Sequence, residues 1–137
     1  MIPYQTKTHK LPGTDDEEVY KQARAVYDRI KSRSKRKPYI RSAYFNKQKI
    51  SFDFFWKHLA EKKSRRVRTR RLKYFASAIE LIGKSHNEPT SMVNPNKRNE
   101  ILHRFAGLTK NKELFFVQIK EDRRTDRKYL MSVFAPK

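Results

Sequence analysis

The chain contains no cysteine, which excludes disulfide cross-links, thiolate catalysis and cysteine-held zinc. Its four histidines, His9, His58, His86 and His103, show no paired metal-ligand spacing, so neither a structural metal nor any other cofactor is expected. Glycine is scarce, three in 137 residues, and no G-x-x-x-x-G-K stretch is present, which sets aside phosphate loops and dinucleotide-binding fingerprints. No apolar run approaches the ~18 residues of a spanning helix. The opening MIPYQTKTHKLPG also lacks an apolar signal core, so the expectation is a cytoplasmic protein without membrane contact.

Acidic residues are the remaining shortage. Lys and Arg number 34 against 14 Asp and Glu, a formal charge of +20. Such an excess works against the compact state unless a partner supplies negative charge. Phosphate backbone is the commonest polyanion, and each neutralised phosphate releases counterions, so RNA is the expected partner. An anionic membrane surface is the competing one. The charge is densest at residues 61–75, EKKSRRVRTRRLKYF, where eight basic side chains meet one acid.

The length suits one domain with a real core. Residues 1–13, with two prolines and a glycine, read as a flexible basic arm, and residues 14–137 as a single α+β domain. TDDEE places Thr14 as N-cap and Glu17 at capping-box spacing, predicting a helix to about Arg33 with Val19, Ala23, Val26 and Ile30 on one side. YIRSAYFNKQKISF predicts a β-hairpin turning near Asn46. Asp53 caps a helix whose Phe55 and Leu59 face inward, and a further helix is expected from about Arg66 to Ile82. Stepping back one turn from Leu72 and Phe75 puts Arg68 and Arg71 at its buried edge. Residues 83–98, with two prolines and three asparagines, read as a structureless functional loop. Three strands follow in NEILHRFAGLT, ELFFVQIKED and KYLMSVFAP, forming an antiparallel meander with helices on one face. Strict alternation predicts Phe116, Gln118 and Lys120 on the open face of the middle strand. In the last strand it sets Tyr129, Met131 and Val133 opposite Leu130, Ser132 and Phe134.

The order helix, hairpin, FFWKHLAEKK, an Arg-rich helix ending AIELIGKS, a proline-containing loop and three strands resembles the barnase, EndoU, colicin and RelE-like ribonuclease superfamily, in its phage and mobile-element branch. The resemblance covers about the last hundred residues, with Ile50 to Leu59, Arg68 to Ile82 and Glu100 to Phe134 as its matching segments. It implies a small endoribonuclease of toxin type that cleaves RNA without a metal. A base takes the 2′-hydroxyl proton, the oxygen attacks its own phosphate, and an acid protonates the leaving 5′ oxygen. It also implies RNA, free or ribosome-associated, as the target and an acidic inhibitor or antitoxin as a second partner. Members differ in their catalytic residues, so no role is transferred from the family onto this chain.

The candidate chemical groups come from the residues themselves. His58 and Lys62 stand one helical turn apart, an imidazole for proton transfer beside an ammonium for charge. His103 and Arg104 are consecutive on a strand, so only one of them meets the substrate, and alternation does not choose between them. Lys120 and Ser132, with Gln118, lie where a cation and a hydroxyl stabilise and orient a pentacoordinate phosphorane. Arg71 and Arg68 are the arginines expected to be positioned rather than merely solvated. Arg65, Arg66, Arg68, Arg70 and Lys73, together with Gln118 and Phe116, are the expected RNA contacts, basic groups interleaved with stacking surface. Two other readings stay open: an RNA- or ribosome-binding module without chemistry, and a Mg²⁺-dependent nuclease using Glu100, Gln118 and Lys120.

Overall fold

The computed structural model describes residues 1–34, 36–60 and 64–136. The expected N-terminal helix is α1, Asp16–Arg33, with Asp16, Glu17 and Glu18 in its first turn and Lys31 and Arg33 in its last. These charges oppose the helix dipole at both ends. Its N-cap is Asp15, one residue later than the expected Thr14, and the Asp15 side chain makes no capping bond. Val19, Ala23 and Tyr27, each one turn apart, are its buried residues.

The hairpin forms from β2, Tyr39–Arg41, and β3, Lys49–Ser51. Asn46 and Lys47 take φ values of 54° and 66° in the turn between them, the left-handed region that Asn enters at least cost. α2, Asp53–Ala60, follows directly, with Phe55 and Leu59 buried as expected.

The single helix expected over Arg66–Ile82 is two, α3, Arg65–Leu72, and α4, Phe75–Lys84. The break has a hydrogen-bonding cause. Leu11 N–H takes the Lys73 carbonyl at 2.8 Å, and Tyr74 N–H turns back to the Arg71 carbonyl at 3.1 Å, so the regular ladder stops there. α3 buries only Thr69 and Leu72, whereas α4 buries Phe75, Ser77, Ala78, Leu81 and Ile82. The basic helix is held by a narrow seam and presents most of its surface to solvent.

Part of the segment expected as a structureless loop is β4, Thr90–Asn94. It turns at Pro95-Asn96 into β5, Lys97–Leu108, and the meander continues through β6, Leu114–Asp122, and β7, Arg127–Phe134. Residues 1–13, expected as a flexible arm, supply β1, Tyr4–Gln5, parallel to the end of β5. Glu80 of α4 accepts hydrogen bonds from Tyr4 Oη, Lys7 N and Thr8 Oγ1, clamping the arm to the body.

The seven strands make one mixed sheet in the order β1-β5-β6-β7-β3-β2, with β4 on β5 ahead of β1. β3 runs parallel to β7, and the chain between it and the last strands supplies α2, α3 and α4. One sheet face carries Phe105, Phe115, Val117, Ile119, Leu130 and Val133 into the core against the helices. Gly107 of β5 sits against Phe115 of β6 and Leu81 of α4. A Cβ there would lie 2.5 Å from Phe115 Cζ and 2.7 Å from Leu81 Cδ1, so no larger residue fits without displacing the core. The architecture is α+β, as expected, with three helices rather than two between hairpin and meander. No helix among the described residues is long and apolar enough to cross a membrane.

Candidate functional site

The sheet face away from the core is organised by register. Arg104 of β5 pairs with Gln118 of β6, which pairs with Ser132 of β7, so three polar side chains form one row across three strands. On one side lies the row Ala106, Phe116 and Phe134, and on the other Leu102, Lys120 and Tyr129. Adjacent strands are ~4.8 Å apart, so each row spans about 10 Å.

A bulge in β7 produces this arrangement. Ser132 faces Gln118 but Leu130 faces Ile119, leaving Met131 as the extra residue. Strict alternation would separate Tyr129 from Ser132 and Phe134. With one residue inserted, all three share the open face and Leu130 and Val133 share the core face. The expectation for Tyr129 is corrected accordingly.

α2 and α3 pack along β7 where β3 ends and bring side chains over the same face. Arg71 of α3 donates from Nη1 to Ser132 Oγ at 3.1 Å, and its Cζ lies 5.9 Å from the Phe134 ring centre. Arg104 approaches the same ring to 5.2 Å and that of Phe116 to 5.9 Å. Two guanidinium groups thus meet one aromatic floor from different elements. Burial lowers the Arg71 pKa from its ordinary value, and among the described residues neither Arg71 nor Arg104 forms an ion pair with a carboxylate. A partly desolvated, uncompensated guanidinium is costly unless an anion joins it.

The third cation is Lys120, whose Nζ lies 4.1 Å from the Phe54 ring centre and 5.4 Å from that of Tyr129. His58, one turn along α2, stacks on the same Phe54 ring at 5.3 Å. Phe54 therefore gathers an imidazole and an ammonium at the rim of the face. Lys120 is also 3.7 Å from Glu100 Oε2, and Glu100 accepts a hydrogen bond from Asn94 Nδ2 at 3.0 Å.

Of the expected catalytic residues, the open face and its rim collect His58, Arg71, Arg104, Lys120 and Ser132, with Gln118 and Phe116 of the expected RNA contacts. Lys62 lies outside the described residues. His103 is turned to the other face of the sheet and is buried. Its Nδ1 is 2.6 Å from Ser91 Oγ, its Nε2 is 2.9 Å from Glu121 Oε1, and the Phe45 ring lies 5.0 Å away. Lys128, also buried, reaches Asp126 Oδ1 at 3.0 Å and Glu121 at 4.0 Å. Both ring nitrogens of His103 are engaged, by Ser91 of β4 and by Glu121 of β6, so of the consecutive pair it is Arg104 that meets the open face.

The other arginines of α3 diverge from Arg71. Arg68 borders a recess beside Tyr20 and Trp56. Arg65, Arg66, Arg70 and Lys73 line a separate cleft with Lys10 of the arm. For the Mg²⁺ reading, Glu100 and Lys120 are neighbours, but Gln118 Nε2 points to Met131 Sδ. No group of three His, Asp or Glu side chains gathers among the described residues.

Phe54, Tyr129 and Phe134 belong to the site although no motif marks them. Leu130 and Val133, apolar at a spacing of three within a strand, are the trace of the bulge that a sequence pattern carries. No protein-family model matches the chain, and comparisons with curated proteins and with solved structures return no match.

Proposed function

We propose that the chain is a metal-independent endoribonuclease acting on the open face of its sheet, consistent with the resemblance to the barnase, EndoU, colicin and RelE-like superfamily. The observation that carries this reading is the convergence of Arg71 and Arg104, from separate elements, on one polar row floored by aromatic rings, with Lys120 in the neighbouring row of the same face.

The chemistry follows from the charges. A phosphodiester lying over the Arg104, Gln118 and Ser132 row presents its non-bridging oxygens to two planar guanidinium forks. As the 2′ oxygen attacks, a second negative charge develops on the phosphorane, and fixed cations in a partly desolvated site stabilise that state more than the ground state. Ser132, bonded to Arg71, fixes the fork and offers its hydroxyl to the same oxygens. His58 and Lys120, gathered by Phe54, are the groups for proton transfer. One removes the 2′-hydroxyl proton and the other supplies a proton to the departing 5′ oxygen. The bond from phosphorus to the 5′ oxygen breaks as that to the 2′ oxygen forms, leaving a 2′,3′-cyclic phosphate and a 5′-hydroxyl. Phe116, Phe134 and Tyr129 supply stacking surface for flanking bases.

Such an enzyme endangers its own cell, and an acidic protein inhibitor covering the cationic face is the partner this reading requires. The direct test is incubation of purified wild-type and Arg71→Ala protein with RNA in EDTA. Expected is cleavage by the wild type and its loss in the variant. RNA that is bound but left intact by folded wild-type protein assigns the chain to the non-catalytic binding modules instead.

A further inference from the structure

The cleft on the other side of α3 is not part of the open face. It has a volume of about 420 Å³ and is lined by Lys10, Arg65, Arg66, Arg70 and Lys73 around Tyr74. Backbone hydrogen bonds assemble it: Leu11 N–H to the Lys73 carbonyl at 2.8 Å and Lys110 N–H to the Thr8 carbonyl at 3.1 Å. They hold Lys10 of the arm beside the arginines of α3. Among the described residues Lys10 is paired with Glu113 at 2.8 Å, and no ion pair neutralises Arg65, Arg66 or Arg70. One carboxylate, Asp16, also lines the cleft and accepts a hydrogen bond from the Thr69 hydroxyl at 2.7 Å. The fold thus draws together five cations of which only Lys10 has an ion-pair partner among the described residues, an excess that a polyanion compensates.

The lining decides which polyanion. Protein partners are held by apolar or aromatic anchors seated in desolvated pockets. The one aromatic side chain here, Tyr74, is 7% exposed and offers no such anchor. Three guanidinium forks and two ammonium groups with hydroxyls beside them suit consecutive backbone phosphates.

We propose that this cleft is a second phosphate-binding site, completed by the N-terminal arm, which holds the backbone of the RNA substrate at a distance from the bond being cut. The assignment rests on RNA being the ligand of the open face. α3 then separates two phosphate tracks by about one helix diameter, ~10 Å. Arg71 serves the scissile phosphate on one side, and Arg65, Arg66 and Arg70 serve a remote segment on the other. The remote site adds affinity for long strands, contributes nothing to short ones, and reads no base.

The test compares the full-length wild type with the triple variant Arg65→Gln, Arg66→Gln, Arg70→Gln. Both are titrated with 2′-O-methyl oligoribonucleotides, which cannot be cut because the attacking hydroxyl is blocked. For a 20-mer, the slope of log affinity against log salt should flatten by about 2 in the variant, three lost contacts at ~0.7 each. Affinity at low salt should fall at least tenfold. For a trimer, too short to span both sites, the two proteins should bind with the same affinity. The melting temperature of the free variant should stay level or rise, since like charges have been removed, which separates lost contacts from lost folding. An unchanged slope for the 20-mer overturns the assignment. So does a variant that loses binding to poly-glutamate while keeping its RNA slope, which would make the cleft an acidic-protein site. If the wild type cuts no RNA but the slope still flattens, the cleft assignment stands and the enzymatic reading falls.

Discussion

Arg71 is the side chain on which sequence position, burial and chemistry meet. It sits in an arginine-rich stretch whose other members face solvent or another cleft, yet it alone bonds Ser132 on the open sheet. Replacing Arg71 or Arg104 by alanine is expected to lower the RNA cleavage rate about 10²–10³-fold, the usual effect of removing one donor from a charge-stabilising site. The circular dichroism spectrum should not change. Arg71→Lys should restore little, because an ammonium cannot hold the Ser132 hydroxyl and a phosphate as a fork does. The two histidines on the sheet and its rim should separate cleanly. His58→Ala is expected to cost about 10²–10⁴ in turnover with little effect on melting, as for a lost proton-transfer group. His103→Ala removes a buried ring and its hydrogen bond to Glu121, and is expected to destabilise by about 1–3 kcal/mol while turnover per folded molecule persists. Chemical denaturation and initial rates on the same samples distinguish the two.

At the scale of elements, the arm is held by two carboxylates, Glu80 and Glu113. Glu80 is pulled upward in pKa by burial, but the hydrogen bonds from Thr8, Lys7 and Tyr4 and the charge of Lys84 outweigh this and leave it below its ordinary value of 4.5. The hydrogen bond from Lys10 likewise holds Glu113 below 4.5. Carboxylates depressed in the folded state contribute stability that is complete above the unfolded value and is lost as pH falls through the folded one. The arm should therefore detach in acid below about pH 4.5, the ordinary value both groups fall beneath. Hydrogen exchange at Thr6 and Leu11 should rise before exchange in β6. Glu80→Gln should show raised exchange at Thr6 already at neutral pH, and equal protection in both proteins would count against the clamp.

The elements themselves were legible to different degrees, for physical reasons. α1, the hairpin, α2 and the meander follow from local signals: acids at a helix start, Asn46 in a turn, and period-2 alternation in ELFFVQIKED. Gln118 follows from the same alternation, whereas alternation leaves His103 and Arg104 undecided, and it is the pairing of Arg104 with Gln118 that puts Arg104 on the open face. Tyr129 does not follow from alternation, because the bulge at Met131 is set by how β7 fits β6, and alternation within KYLMSVF points the other way. The break between α3 and α4 depends on Leu11, more than sixty residues distant in sequence, taking the Lys73 carbonyl. β4 was hidden because Pro89 and Pro95 flank five residues that pair only once β5 is present. Local chemistry wrote the elements, and contacts distant in sequence wrote their joints.

For the molecule as a whole, a charge of +20 includes two cationic surfaces on either side of α3. One, with Arg71 and Arg104, is floored by aromatic rings and has His58 and Lys120 at its rim. The other is a cleft of arginines and lysines. Surface charges farther apart than the ~8 Å Debye length at physiological salt are largely screened from one another, so each surface should contribute its own part of the salt dependence. The central claim is that the aromatic-floored face cuts RNA by attack of its own 2′-hydroxyl. It is tested most directly by identifying the ends produced from an oligoribonucleotide in EDTA, beside the same oligonucleotide carrying one deoxynucleotide at the cleavage position. The expected result is a 2′,3′-cyclic phosphate and a 5′-hydroxyl from the first, and no cut at the deoxy position of the second. Intact RNA across the pH range with folded protein, or 5′-phosphate ends that appear only with added Mg²⁺, would contradict it.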